Sequence, residues 1–277
     1  MPKQLTAPDI LALKGRAKVA VLTAYDYPSG LIADSAEPDV VLVGDSLAMV
    51  VLGQEDTLAV TMEEMLHHCR ATARAVKHAL LVGDMPFLSY QCSVSEAVRN
   101  AGRFLKEGGA RAVKLEGGRA VLPQVRAIVD AGIPVMGHIG LTPQHIANLG
   151  GFKAQGKTAE AIQILLEDAR GLAEAGCFSL VLEAMPREAA AVITEAVHIP
   201  TIGIGAGPDT DGQVLVLHDI LGLFDRFLPK FVKRYADLAA TGREAAAAYC
   251  AEVRAGTFPG PEHSTSLSPE ELARLKG

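Results

Sequence analysis

The chain has 277 residues, of which 49% are hydrophobic and 21% charged, with a formal net charge of −6. This composition excludes a mainly disordered chain and allows one large domain or two ordinary ones. Trp is absent and aromatic residues make up 5%, so stacking platforms for single-stranded nucleic acid are scarce, and the acidic chain shows no basic cluster of the kind a phosphate-backbone binder carries.

Seven β-branched runs follow one another along the chain: Lys18–Thr23, Val40–Gly44, Leu80–Gly83, Ala112–Leu115, Ile133–Gly137, Ser179–Leu182 and Thr201–Ile204. Most lack in/out alternation, as expected of strands buried on both faces. Amphipathic stretches separate them. Thr61 and Glu64 form a capping box before a helix to about His78, and Ser93 and Glu96 another before a helix ending at Gly108-Gly109. Further helices are expected from about Pro123 to Gly132, from Thr158 to Gly176, and over Arg187–Val197 behind Pro186. Asp209 or Asp211 opens one through about His218, and an eighth strand is placed at Pro229–Val232, followed by a helix to about Arg254. Strand–helix units of about 30 residues then fill the chain, which predicts a single (β/α)8 TIM barrel over residues 1–256; a doubly wound open sheet is the structural rival. Residues 257–277, rich in Pro, Ser, Thr and Glu, read as a C-terminal surface arm with a short helix after Ser268.

No apolar run reaches the ~18 residues that cross a bilayer, and Met1–Gly15 has no apolar core of the kind a secretory leader carries. Cys69, Cys92, Cys177 and Cys250 are far apart, with no zinc-type spacing. They read as small hydrophobes in a reducing compartment, so the cytoplasm is the expected location.

In such a barrel the catalytic groups stand at the carboxyl ends of the strands. Successive runs end in Asp45-Ser46, Asp84, Lys114 with Glu116, His138 and Glu183. A single Asp after a strand is most often a cap or turn former, but Asp45, Asp84 and Glu116 come from neighbouring strands and would meet. Three converging carboxylates repel one another, and a hard divalent cation removes that cost. Oxygen donors without a Cys/His cluster favour Mg²⁺, with other divalent cations allowed. Lys114 shares the strand face of Glu116 and needs an anionic partner, either Asp84 or Glu116 or a substrate carboxylate. Ser46 binds the same carboxylate or caps a turn. His138 hydrogen-bonds a keto oxygen or carboxylate, or is structural. Glu183 takes a carbon-bound proton, or serves as an outer metal ligand or cap. The run Gly203-Ile-Gly-Ala-Gly207 follows the seventh strand with the wrong spacing for a dinucleotide fingerprint, so NAD is rejected. Leu141–Lys157 is long for a loop of this kind and is expected to form a lid, a wall for a second substrate or an oligomer contact.

These residues resemble the ketopantoate hydroxymethyltransferase family. The likeness is carried by Thr23–Tyr27, Val43–Leu47, Gly83–Tyr90, Val113–Gly118, Gly137–Gln144, Gly150–Gly156, Val181–Glu183, Ile202–Gly207 and Asp211–Val214, in order, across about residues 3 to 264. The resemblance implies a barrel of the phosphoenolpyruvate/pyruvate superfamily type. It implies transfer of a hydroxymethyl group from 5,10-methylenetetrahydrofolate to 3-methyl-2-oxobutanoate, giving 2-dehydropantoate on the way to pantothenate and coenzyme A. It also implies Asp45, Asp84 and Glu116 on Mg²⁺, oxoacid held by Asp45, Ser46, Asp84, Lys114 and His138, and Glu183 in proton transfer. Family members are cytoplasmic homo-oligomers, commonly decamers of two pentameric rings, with no nucleic-acid or membrane partner. The rivals are a carbon–carbon lyase of the same superfamily, which would carry a catalytic Cys on a mobile loop, and a non-catalytic oxoacid-binding barrel.

Overall fold

Eight short runs pair in chain order into a closed parallel sheet: β1 (Val19–Thr23), β2 (Val40–Val43), β3 (Leu80–Asp84), β4 (Ala112–Lys114), β5 (Val135–Gly140), β6 (Ser179–Glu183), β7 (Thr201–Ile204) and β8 (Gly212–Leu215), with β8 hydrogen-bonded back to β1. The computed structural model describes residues 3–151 and 153–276; Phe152, in the long loop after β5, lies outside them, as do Met1, Pro2 and Gly277. Alternate residues of the strands, among them Val19, Val21, Val40, Leu42, Val82 and Ile202, fill the barrel interior. The opposite faces pack against the helices, where Val41, Val43, Leu81, Val113 and Leu180 lie. The sheet is thus buried on both faces, which is why its strands lack polar alternation. This is the (β/α)8 barrel expected from the sequence.

The helices are α1 (Ala7–Leu11), α2 (Tyr27–Ser35), α3 (Leu47–Val50), α4 (Met62–Ala75), α5 (Val94–Lys106), α6 (Leu122–Asp130), α7 (Ile146–Leu149), α8 (Ala159–Glu174), α9 (Arg187–Ala196), α10 (Leu217–Ile220), α11 (Leu238–Ala255) and α12 (Pro269–Lys276). The α4 capping box forms as read, with Thr61 Oγ1 accepting from Glu64 N–H at 3.2 Å. Ser93 likewise accepts from Glu96 N–H at 3.2 Å and opens α5. Ahead of β1, Ala7 and Ile10 of α1 join the interior cluster and close the amino end of the barrel. Among the described residues no helix is long and apolar enough to cross a membrane.

The eighth strand needs correction. It is Gly212–Leu215, where a helix opened by Asp209 or Asp211 was expected, and Pro229–Val232 forms no strand. Asp211 does not cap a helix. Its carboxylate accepts from Thr201 N–H at 2.8 Å and pairs with Lys14 at 2.7 Å, tying the start of β7 to the segment after α1. The link from β7 to β8 is therefore a short loop, and the barrel carries no helix there.

One contact tests how tightly the outer layer is packed. A Cβ on Gly83 of β3 would meet the buried Phe104 ring of α5 at 2.3 Å, whereas one on Gly102 of α5 would meet nothing within 4 Å. Gly83→Ala should therefore cost ~1–3 kcal/mol through overpacking. Gly102→Ala should stabilise by ~0.4–1 kcal/mol through the unfolded chain. Urea unfolding of the two variants checks the opposite signs.

Candidate active site

The carboxyl ends of β2 to β6 surround the floor of a cavity of about 480 Å³. Asp45 follows β2, Asp84 ends β3, Lys114 ends β4 with Glu116 two residues on, His138 lies in β5 and Glu183 ends β6. Register sets the neighbours: Asp84 is opposite Lys114, and Gly140 is opposite Glu183. That last pairing brings two backbones close. A Cβ on Gly140 (φ +97°) would lie 2.3 Å from the Glu183 carbonyl oxygen, which accepts from Leu141 N–H at 2.9 Å.

Asp45, Asp84, Lys114, Glu116 and His138 are all buried. Lys114 Nζ donates to both oxygens of Asp84 at 2.8 Å and stands 3.9 Å from Glu116. The anionic partner expected for Lys114 is thus principally Asp84. His138 lies between two carboxylates, with Nδ1 3.4 Å from Glu116 and Nε2 3.2 Å from Glu183. Neither ring nitrogen makes an aligned hydrogen bond. Ser46 precedes α3 but does not cap it; its hydroxyl is 2.8 Å from that of Tyr25 and it faces the cavity. All seven residues singled out in the sequence therefore line one cavity.

Charge and burial pull these groups apart. Burial raises the carboxyl pKa of Asp45 well above the ordinary value, and Asp84 and Glu116 add repulsion. Burial also raises Asp84, against the pull of Lys114. Burial opposes the charge of Glu116 too, yet His138 and Lys114 hold it below the usual range. Lys114 is itself buried, but Asp84, Glu116 and Asp45 keep its ammonium charged. Burial and Lys114 disfavour a charged His138, yet Glu116 and Glu183 outweigh them and push it up to about 9.

Two residues of this site carry no strand-end signal. Gln144, in the long loop after β5, is buried; its Nε2 donates to Asp45 at 2.9 Å and to the Met85 carbonyl at 2.9 Å. Its backbone N–H donates to Glu116 at 3.1 Å. The Tyr90 hydroxyl accepts from Glu116 N–H at 3.1 Å and lies 2.7 Å from Gln144 Oε1. The start of the 141–157 loop is thus an inner wall of the site, and Ala154 also lines the cavity. Both residues fall inside matched stretches, Gly83–Tyr90 and Gly137–Gln144, which is the signal that points to them.

Among the described residues no three Asp, Glu, His or Cys side chains stand already gathered as a metal cage. Asp84 is turned to Lys114 and Asp45 to Gln144. The donor chemistry nevertheless suits a hard divalent ion, because Mg²⁺ takes one or two carboxylates and fills its remaining positions with water and substrate oxygens. Asp45 and Asp84 are neighbours, with Asp45 N–H donating to Asp84 Oδ2 at 3.2 Å.

Solved structures share the fold. Phosphonopyruvate hydrolase aligns with a TM-score of 0.60 at 13% identity, covering 99% of this chain and 95% of that one. A 2,3-dimethylmalate lyase of the PEP mutase/isocitrate lyase superfamily aligns at 0.55 and 17% identity, covering 100% and 96%. Sequence relatives are much nearer. The 3-methyl-2-oxobutanoate hydroxymethyltransferase of Syntrophobacter fumaroxidans is 64% identical over 277 residues, covering 100% of this chain and 98% of the relative. That of Moorella thermoacetica is 60% identical over 262 residues, covering 94% and 97%. The family model for ketopantoate hydroxymethyltransferase matches residues 4–261, and the chain belongs to that family.

Proposed function

We propose that this chain transfers a hydroxymethyl group from 5,10-methylenetetrahydrofolate to 3-methyl-2-oxobutanoate, giving 2-dehydropantoate. The reading is carried by one observation: two buried carboxylates, Asp84 and Glu116, share Lys114 on the cavity floor, with a third, Asp45, next to Asp84 and a fourth, Glu183, beside His138 at the rim. Family membership and the names of the relatives support the chemistry.

Asp45 and Asp84 would hold Mg²⁺ or a similar divalent cation, with Glu116 joining them. Bound there, the ion supplies Lewis-acid charge to the oxygens of the oxoacid as the enolate develops. Lys114 and Ser46 orient the substrate carboxylate. His138, whose pKa is pushed up by Glu116 and Glu183, donates to the keto oxygen. Glu183 takes the C3 proton: the C3–H pair moves into a C2–C3 double bond, and the keto π pair moves to oxygen. C3 then bonds to the one-carbon unit of the folate as one of that carbon's two bonds to the folate nitrogens breaks, and water replaces the other nitrogen to supply the hydroxyl; both nitrogens leave protonated, one by the proton taken from C3 and one by a proton of the water. Gln144 and Tyr90 keep Asp45 and Glu116 in place by hydrogen bonds that carry no net charge.

The same reading includes a homo-oligomer, a decamer, in the cytoplasm. The 18-residue helix α11 has no buried residue, although most helix stability in proteins comes from packing one face. Leu238, Tyr249 and Val253 of α11 are exposed, as are Tyr27, Leu31 and Ile32 of α2. A second copy covers such surface. The four cysteines are unpaired, which suits a reducing compartment.

Three outcomes are expected. Glu183→Gln should slow exchange of the C3 proton into D₂O, followed by proton NMR, by about 10²–10⁴-fold; exchange at the wild-type rate would remove Glu183 as the base. EDTA should abolish product formation and Mg²⁺ restore it, since the floor carboxylates then lose their cation; full turnover in EDTA would remove the metal from the reaction. Sedimentation equilibrium should give the mass of about ten chains, and a monomer mass would refute the assembly.

A further inference from the structure

The cavity has a second half that the oxoacid does not need. Its volume of about 480 Å³ is that of a pocket for a drug-sized ligand, more than a small branched oxoacid fills. The polar floor lies at the strand ends. The opposite wall is aromatic, made by Phe224, Phe227 and Phe231 with Lys230 between them.

This wall is a strap between α10 and α11, fastened at several points. Arg226 Nη1 donates to the Gly53 carbonyl at 2.7 Å, and Arg234 Nη2 to the Phe224 carbonyl at 3.1 Å. Tyr235 N–H donates to the Ile220 carbonyl at 2.8 Å. The Phe231 ring lies against the backbone of Gly205, where a Cβ would be 2.6 Å away. The exposed rings of Phe227 and Phe231 are therefore held at the mouth of the cavity.

Asp219 of α10 supplies the polar element of this half. It is 93% buried, lines the cavity, and its Oδ1 has no hydrogen-bond partner. Burial raises its carboxyl to about 6, against the influence of Arg234. Its helix is seated by Leu217 N–H donating to Thr23 Oγ1 at 3.0 Å and by His218 packed at a tilt against Tyr25, with ring centroids 5.2 Å apart. A buried acceptor without a donor costs free energy until a ligand supplies one.

Resting on the function proposed above, we infer that Asp219, Lys230 and the Phe224/Phe227/Phe231 wall form the seat of the folate donor. A reduced pteridine offers adjacent ring N–H and amino donors, spaced to meet both oxygens of one carboxylate. Asp219 takes that edge. The phenylalanine rings stack on the flat pteridine and aminobenzoyl groups. Lys230, at the open side, pairs with a glutamyl carboxylate.

The test uses steady-state kinetics of the full-length chain, varying 5,10-methylenetetrahydrofolate at saturating oxoacid and then the reverse. Asp219→Asn should raise the folate KM about tenfold or more, as loss of a charged hydrogen-bond acceptor predicts. Phe227→Ala should raise it about three- to tenfold through lost stacking. In both, the rise should exceed any change in the oxoacid KM. Phe227 is exposed, so that variant carries the test if Asp219→Asn fails to fold. Unchanged folate KM values, or equal rises for both substrates, in an otherwise active chain would overturn this assignment and leave the proposed reaction standing. A wild-type chain that makes product without consuming folate, or makes none, would overturn both.

Discussion

The arrangement depends on one electrostatic constraint: Asp45, Asp84 and Glu116 are buried side by side with one ammonium among them, that of Lys114, which pairs with Asp84 and stands 3.9 Å from Glu116. Unit charges about 4 Å apart interact by about 4 kcal/mol at an effective dielectric of about 20, so such a cluster cannot be indifferent to its neighbours. One lysine does not balance three carboxylates. His138 adds a second positive charge, and Glu183 at the rim adds a fourth negative one. The floor is therefore short of positive charge, and a divalent cation with an oxoacid is a chemically matched way to complete it. The opposite shifts of these groups follow their neighbours: burial, with repulsion from Asp84 and Glu116, raises Asp45, whereas His138 and Lys114 lower Glu116 against its own burial.

The scaffold meets this constraint with neutral donors as well as charges. Gln144 reaches Asp45 and the Met85 carbonyl through its side-chain nitrogen and Glu116 through its backbone N–H. Tyr90 bonds to the backbone of Glu116 and to Gln144. These bonds fix the carboxylates without adding charge, so they leave the electrostatic demand on the site intact. Ala184, immediately after Glu183, has φ +46°, a conformation uncommon for a residue with a Cβ. Its N–H donates to the Ile204 carbonyl and its own carbonyl accepts from Gln155, both at 2.9 Å, so β7 and the 141–157 loop together hold that turn beneath the Glu183 side chain.

The sequence made most of this legible because strand ends are marked locally. A run buried on both faces has no polar alternation, and a charged residue at its end stands out, as Asp84 and Glu183 do. The capping box at Thr61 and the N-cap at Ser93, where only the Glu96 N–H bond of the expected box forms, are equally local. The eighth strand was not legible for a non-local reason. Gly212–Leu215 follows Asp211, which looks like a helix cap because its true partners, Thr201 and Lys14, lie in other elements. Gln144 escaped for the same reason: its role exists only once the loop after β5 has brought it to carboxylates from β2 and β4.

The glycine run after β7 shows how a misleading signal acquires a physical cause. Gly203-Ile-Gly-Ala-Gly207 looks like a phosphate cradle, yet the structure uses its glycines for close packing. Gly205, at φ +63°, accepts the Phe231 ring, and Gly207, at φ +80°, accepts Arg187 of α9, whose Cβ would lie 2.5 Å from an added methyl. No helix lies between β7 and β8 in the described chain. The strap that carries Phe231 can reach the cavity only because side chains are absent where it lands. The bare glycine backbone and the apolar 224–231 segment are therefore two halves of one wall. Neither resembles a binding element when read alone, and together they give the cavity an aromatic side facing its charged floor.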